Sequence, residues 1–239
     1  MKKKKLLKTI LTAVSLIIAI GFVIRFAGPN ILKQYIAYGI GDCKEIPILC
    51  MQPEQKIVEP KIDKEYLGTL IPQAFPKMSI SVPRGFNLVQ ELIKKRYYKR
   101  RADNKAVIYL LYQEPGSFIK LYPNVKKQGV NDNYEFMRRL SYSNFEKITD
   151  ITSAFFTIMK SIFTPDVGDQ KRVKMIEFKL GSLRGFIAYS LDNLKNYFDC
   201  DIIDSNGNFF KVYIKDHGSR LTLDNVFTII STVKPVQAN

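Results

Sequence analysis

The chain has 239 residues, 46% hydrophobic and 12% aromatic, which suffices for one packed domain with appendages and excludes an intrinsically disordered protein. Its formal net charge is +15, and Lys2 to Lys5, Lys8 and Arg25 place six of the positive charges at the N-terminus. The rest of the excess attracts polyanions in general, so charge alone does not choose among nucleic acid, anionic lipid and envelope polymer.

Residues 1–8, MKKKKLLK, read as a cytoplasmic basic tail. Thr9 to Ile24 follow as sixteen uncharged, mostly apolar residues, a length that suits a short membrane-spanning helix or a long signal peptide. Cleavage after Ala27 would put Arg25 where signal peptidase requires a small side chain. Residues 9–27 are therefore predicted to be an uncleaved transmembrane anchor, with a removed signal peptide as the alternative. A buried soluble helix is disfavoured by the lysine block, and no cysteine ends the apolar run to suggest a lipoprotein. The positive-inside rule then keeps the N-terminus in the cytoplasm and sends everything from about Pro29 outside, periplasmic or extracellular. The first partner implied is the lipid bilayer, through residues 9–27.

Residues 28–74 begin with the amphipathic PNILKQYIAYGIG and continue rich in proline and charge, so they read as an extracytoplasmic linker or stalk. Within them Cys43 and Cys50, in GDCKEIPILC, are placed to close a small disulfide ring in an oxidising compartment. The alternative is that these two and Cys200 are merely small apolar residues. Without a CxxC pair, and with one remote histidine, the cysteines do not read as metal ligands. Residues 75–235 are the predicted folded domain and 236–239 a tail.

In that domain KMSISVP is a strand ended by the turn Pro83-Arg84-Gly85. The stretch from Asn87 to Arg101 fits two patterns. As a helix it aligns Leu88, Val89, Leu92, Ile93, Arg96 and Tyr97 behind an Asn87 cap; as strands it ends in KKRYYKRR, with Lys94, Arg96, Tyr98 and Arg100 on one face and Lys95, Tyr97, Lys99 and Arg101 on the other. The good turn ADNK favours the strand pair, and in both readings the charges are expected to face solvent. AVIYLLYQ (Ala106 to Gln113) reads as a central strand with SFIKLYP (Ser117 to Pro123) as its hairpin partner. YEFMRRLSYSNFEKI and TDITSAFFTIMKSIF follow as helices, the second starting at Asp150 and stopping at Pro165. RVKMIEFKL-GS-LRGFIAYSL and YFDCDIID-SNGN-FFKVYIKD are hairpins, the latter around Asn206-Gly207. A last helix runs through TLDNVFTIISTV from an N-cap at Thr222. Hairpins with interspersed helices make the class α+β, an antiparallel sheet packed with helices.

The opening SISVPRGF, and the closing GNFFKVYIKD followed by LTLDNVFTIISTVK, resemble the first strand and turn and the last strand and helix of the PsbP/DcrB-like fold. Phe86 stands where such domains usually carry tryptophan, and this chain has no Trp. The resemblance implies a non-enzymatic accessory or binding role in a membrane-associated or extracytoplasmic setting.

Chemistry is sparse. His217 is the only histidine, and no GxSxG, HExxH, Walker or GxGxxG pattern occurs. Asp204, Asn206 and Asn208 match the first positions of a calcium loop, but Phe209 and Lys215 stand where it needs Gly and Glu. No catalytic, cofactor or metal residue is therefore predicted. The candidate contact is Lys94, Lys95, Arg96, Tyr97, Tyr98, Lys99, Arg100 and Arg101, facing a polyanion or the membrane surface, against the plainer reading of a solvated, charge-protected edge. The function expected is a membrane-anchored extracytoplasmic binding or accessory module of an envelope assembly, its partner another envelope protein or an anionic lipid or polymer. A nucleic-acid-binding module requires the opposite topology, and an envelope enzyme of unrecognised type is the third reading.

Overall fold

The computed structural model describes residues 27–74, 77–92, 95–100, 105–164, 167, 170–192, 195–218 and 221–235. The predicted anchor lies outside them except for Ala27. Among the described residues no helix is long and apolar enough to cross a membrane.

Two antiparallel sheets form the frame. Strands β1 (Leu70–Ala74), β2 (Met78–Pro83) and β10 (Lys234–Pro235) make a small sheet. The large one contains β3 (Phe86–Leu92), β4 (Lys95–Arg100), β5 (Ala106–Gln113), β6 (Val173–Leu180), β7 (Leu183–Leu191), β8 (Lys195–Ile203) and β9 (Phe209–His217). Its order is β3-β4-β5-β9-β8-β7-β6, so two meanders meet at a β5–β9 seam running from Ala106↔Asp216 to Gln113↔Phe209. Helices α1 (27–39), α2 (Lys64–Leu67), α3 (Ser117–Leu121), α4 (Asn133–Tyr142), α5 (Ile151–Phe163) and α6 (Leu223–Ser231) complete the α+β architecture.

Strand alternation divides the interior in two. One face of the large sheet buries Ile108, Leu110, Ile187, Phe198, Ile202 and Val212 against Met78, Ile80 and Val82 of β2 and Val226, Phe227 and Ile230 of α6. The other packs Phe186, Ile203 and Phe209 under Phe118, Phe136, Met137, Leu140 and Phe156. Burial of each such phenylalanine contributes roughly 1.5–3 kcal/mol of transfer free energy. Being covered on both sides, β8 is buried along its whole length after Lys195. Capping side chains mark the helix starts that the sequence predicts: Asp150 and Ser153 form a capping box on α5, and Thr222 and Asn225 form one on α6.

Two segments depart from the sequence reading. SFIKLYP is not a hairpin strand, since α3 and a 3-10 turn occupy it and β9 is the partner of β5. The Asn133 side chain accepts from the Phe118 N–H at 3.3 Å, and the Phe118 ring stacks on Phe136 at 4.9 Å. A period-2 pattern over so few residues loses to that tertiary burial.

Residues 28–74, read as a stalk, form a packed arm. Ile36 is buried with Ile148 and Ala154, while Ile48 and Leu49 are fully enclosed. A disulfide joins Cys43 to Cys50 with Cα atoms 5.6 Å apart. Farther along, Val58 exchanges backbone hydrogen bonds with β6, from its N–H to Glu177 O (2.9 Å) and to its O from Lys179 N–H (2.9 Å). The arm thereby covers a sheet edge that would otherwise expose unpaired backbone.

Candidate functional site: a tyrosine row between lysines

Strand β4 splits the basic stretch by alternation. Arg96, Tyr98 and Arg100 turn inward and are 8%, 1% and 7% exposed. Arg96 donates to Ala74 O at 3.1 Å and pairs with Glu91, its cross-strand neighbour on β3. Arg100 donates to Asp216 Oδ1 at 3.0 Å and to His217 O at 3.3 Å. The expectation that all of these charges face solvent is thus corrected for Arg96 and Arg100. A guanidinium tolerates burial where carboxylate and carbonyl oxygens meet its fork of donors. Lys95 is exposed and Tyr97 and Lys99 are half-buried on the opposite face, while Lys94 and Arg101 lie outside the described residues.

The opposite face has an order that β4 alone does not reveal. Strand register sets Tyr97 beside Tyr109 and Tyr109 beside Tyr213, so three half-buried tyrosines cross β4, β5 and β9 in one lateral row. At the usual strand spacing they span about 10 Å. On one side the flanking row is Lys99, Val107 and Lys215; on the other it is Lys95, Leu111 and the buried Lys211. Towards the β3 edge the rows end in Asn87, Gln90 and Leu92. Among the described residues, the β3–β5 part of this face carries no carboxylate. Lys99 Nζ lies 5.8 Å from the Tyr97 ring centre and Lys215 Nζ 5.5 Å from that of Tyr197, both at cation–π range. Flat rings bordered by cations suit an extended anionic chain, the rings packing on its apolar faces and the lysines neutralising its charge.

Tyr109, Tyr213 and Lys215 are absent from the sequence-predicted set. Their signal was present in the alternation of AVIYLLYQ and FFKVYIKD, but only the pairing of strands distant in sequence brings them to Tyr97.

Other polar groups are committed to the fold. Glu177 on β6 accepts the hydroxyls of Tyr134 and Tyr142 from α4, the second at 2.8 Å, and burial first, then this carboxylate, pushes both phenols up to about 12. Asp204 accepts from the N–H groups of Asn206 and Asn208, each at 2.9 Å, so the calcium-like spacing serves the Gly207 turn, where φ is +80°. His217 packs edge-on against Tyr197, and its pKa is lowered by burial and by Lys215 and Lys195. No group of three or more His, Cys, Asp or Glu is gathered to hold a metal among the described residues. A cleft of about 610 Å³ beside α4 and α5 mixes Arg138, Arg139 and Lys147 with Glu135 and Asp150, so it favours no one sign of ligand.

Lys160 on α5 is fully buried; its Nζ donates to Met51 O in the arm and to Ser143 O at 2.8 Å. Burial pushes its pKa down to about 7. The unfolded chain keeps this proton up to the ordinary lysine value while the folded chain loses it near 7, so stability rises with pH between those values and is flat below. Urea midpoints at about pH 7 and pH 9 are expected to show a gain of up to about 2–3 kcal/mol that Lys160→Met abolishes. Identical profiles for the two proteins would refute this coupling.

No family model and no curated protein matches this chain. Among solved structures, a protein from Bacteroides thetaiotaomicron aligns with a TM-score of 0.36 at 8% identity, over 67% of this chain. The chain spans about 45% of the length of that protein.

Proposed function

We propose that the protein is a membrane-anchored, extracytoplasmic binding module that holds an anionic envelope polymer against the tyrosine row. The observation that carries this reading is Tyr97–Tyr109–Tyr213 in register, flanked by Lys99 and Lys215 on one side and by Lys95 on the other, on a face whose β3–β5 part lacks carboxylates among the described residues. Its side of the membrane is argued from the lysine block before Thr9 to Ile24, and the Cys43–Cys50 disulfide accords with an oxidising compartment. The role is non-enzymatic, in line with the PsbP/DcrB-like resemblance.

Two measurements test it. Protease accessibility of the domain in intact cells and in spheroplasts is expected to show it outside the cytoplasm; a protected, cytoplasmic domain would overturn the reading in favour of a nucleic-acid module. Binding of the purified protein to polyphosphate, a probe of an anionic polymer, is expected to weaken with salt. Joint reversal of Lys95, Lys99 and Lys215 to Glu should lower affinity at least tenfold and flatten the salt dependence, which follows the number of neutralised charges. Tyr97→Ala with Tyr109→Ala should weaken binding while leaving the salt slope in place. Polyphosphate binding indifferent to both sets would leave the face without this role.

A further inference from the structure

Lys211 on β9 stands directly opposite Asp201 on β8 and diagonal to Asp199 on the same strand. Its Nζ contacts three oxygens: Asp199 Oδ1, Asp201 Oδ1 at 3.0 Å and Phe163 O at 2.6 Å. The three side chains are only 10%, 0% and 4% exposed for Lys211, Asp199 and Asp201. The Phe163 ring centre lies 6.0 Å from the amine, and buried Phe186 is the cross-strand neighbour of Asp201. An amine, two carboxyl groups and an aromatic wall are thus enclosed together between the sheet and α5.

We propose that Lys211 and Asp199 condense into an intramolecular amide, a covalent staple across the β8–β9 hairpin, with Asp201 as the proton carrier. This inference is independent of the binding role proposed above.

The electrostatics set up the reaction. One buried ammonium with two carboxylates would carry a net negative charge in a low-dielectric site, which is costly. Burial raises the pKa of Asp201, so the favoured set is ammonium, Asp199 carboxylate and Asp201 carboxylic acid, with no net charge. Burial alone would lower the pKa of Lys211, but the adjacent Asp199 and Asp201 raise it, so this ionised set is the resting one. Moving one proton from Nζ to Asp199 gives a neutral amine facing a neutral acid without changing the total charge. In that form the two remaining N–H groups serve Phe163 O and Asp201, and the nitrogen lone pair is left for the Asp199 carboxyl carbon.

The atoms balance without any co-reactant. The Nζ lone pair attacks Asp199 Cγ; Asp201 protonates the departing hydroxyl and recovers a proton from the nitrogen. The C–OH bond breaks, the C–N bond forms, and one water leaves. In bulk water the ionised pair would prevail, but groups held in contact reach effective molarities of about 10⁵–10⁸ M, and enclosure keeps competing water out. The amide also removes the desolvation cost of the ions. Because the reactive form is a minor proton-shifted state, the bond is expected to form slowly after folding.

The test is mass spectrometry of the full chain in detergent, with Cys43 and Cys50 reduced first. The aged wild-type protein is expected to be lighter than its sequence by one water. Trypsin should fail to cut after Lys211 and instead release a looped peptide, Asn196–Lys215, with no fragment ions from between Asp199 and Lys211. Asp199→Ala and Lys211→Arg should each run at full sequence mass. Asp201→Asn, which keeps both reacting residues, should lose most of the bond in its soluble fraction. A wild-type chain that stays at full mass overturns the proposal without reference to any variant. So does a water-loss peptide still cut after Lys211, since that marks a backbone succinimide. Full staple formation in Asp201→Asn overturns the role of Asp201.

Discussion

Gly185→Ala is expected to abolish folding or to lower stability by more than about 3–5 kcal/mol, a large part of the 5–15 kcal/mol typical of a whole domain. Gly185 lies near the start of β7, paired with Phe178 of β6 on one side and Ile202 of β8 on the other. A methyl group there would overlap the carbonyl oxygen of Asp201 and come within 2.9 Å of its carbon and 3.1 Å of Ile202 Cα. These are backbone atoms of a strand buried on both faces, so no side chain can swing away to make room. The only response is to part β7 from β8, which breaks the ladder from its Arg184↔Ile203 end inward. Circular dichroism and thermal melting of the purified variant check this, and a melting temperature equal to that of the parent would mean that the two strands do not meet in this register.

Asp216→Ala should give the second large effect. The carboxylate is fully buried at the end of β9; Oδ1 accepts from Arg100 of β4 at 3.0 Å and Oδ2 from the Leu221 N–H at 2.9 Å. It therefore ties β4 and the start of α6 to β9. Its removal breaks the buried ion pair with Arg100, a change that costs about 3–5 kcal/mol. Replacing both partners by apolar residues, as in Arg100→Met with Asp216→Leu, should cost less than Asp216→Ala alone. Urea unfolding of the three proteins decides it, and a double variant no more stable than the single one would show that the ion pair is not the source of the loss.

The sequence revealed those features in which local pattern and tertiary environment agree. Alternation over β6 to β9, with the Asn206-Gly207 turn, marks both C-terminal hairpins, and Asp150 and Thr222 mark helix starts because capping is a local interaction. What escaped depends on distant partners. Phe118 reads as a strand residue until Phe136 and Asn133 draw it into α3. The arm through Ile48 and Val58 resembles a linker because its proline and charge are visible while its anchor points on α5 and β6 are not. The basic stretch was legible as a motif but not as a surface. Whether Arg96 and Arg100 point inward depends on Glu91 and Asp216, and the tyrosines that join Tyr97 come from strands next to it only in space.

The β5–β9 seam has a consequence for the order of assembly. Strands β3 to β5 leave the ribosome about one hundred residues before β9, the only neighbour of β5 on that side. Until Phe209 to His217 arrive, the apolar AVIYLLYQ strand has an open edge, exposed to aggregation for as long as synthesis of the intervening chain lasts. The domain is thus expected to fold late and slowly, after synthesis. A chain truncated before β9 would present a sticky edge to chaperones and proteases instead of a smaller stable fold.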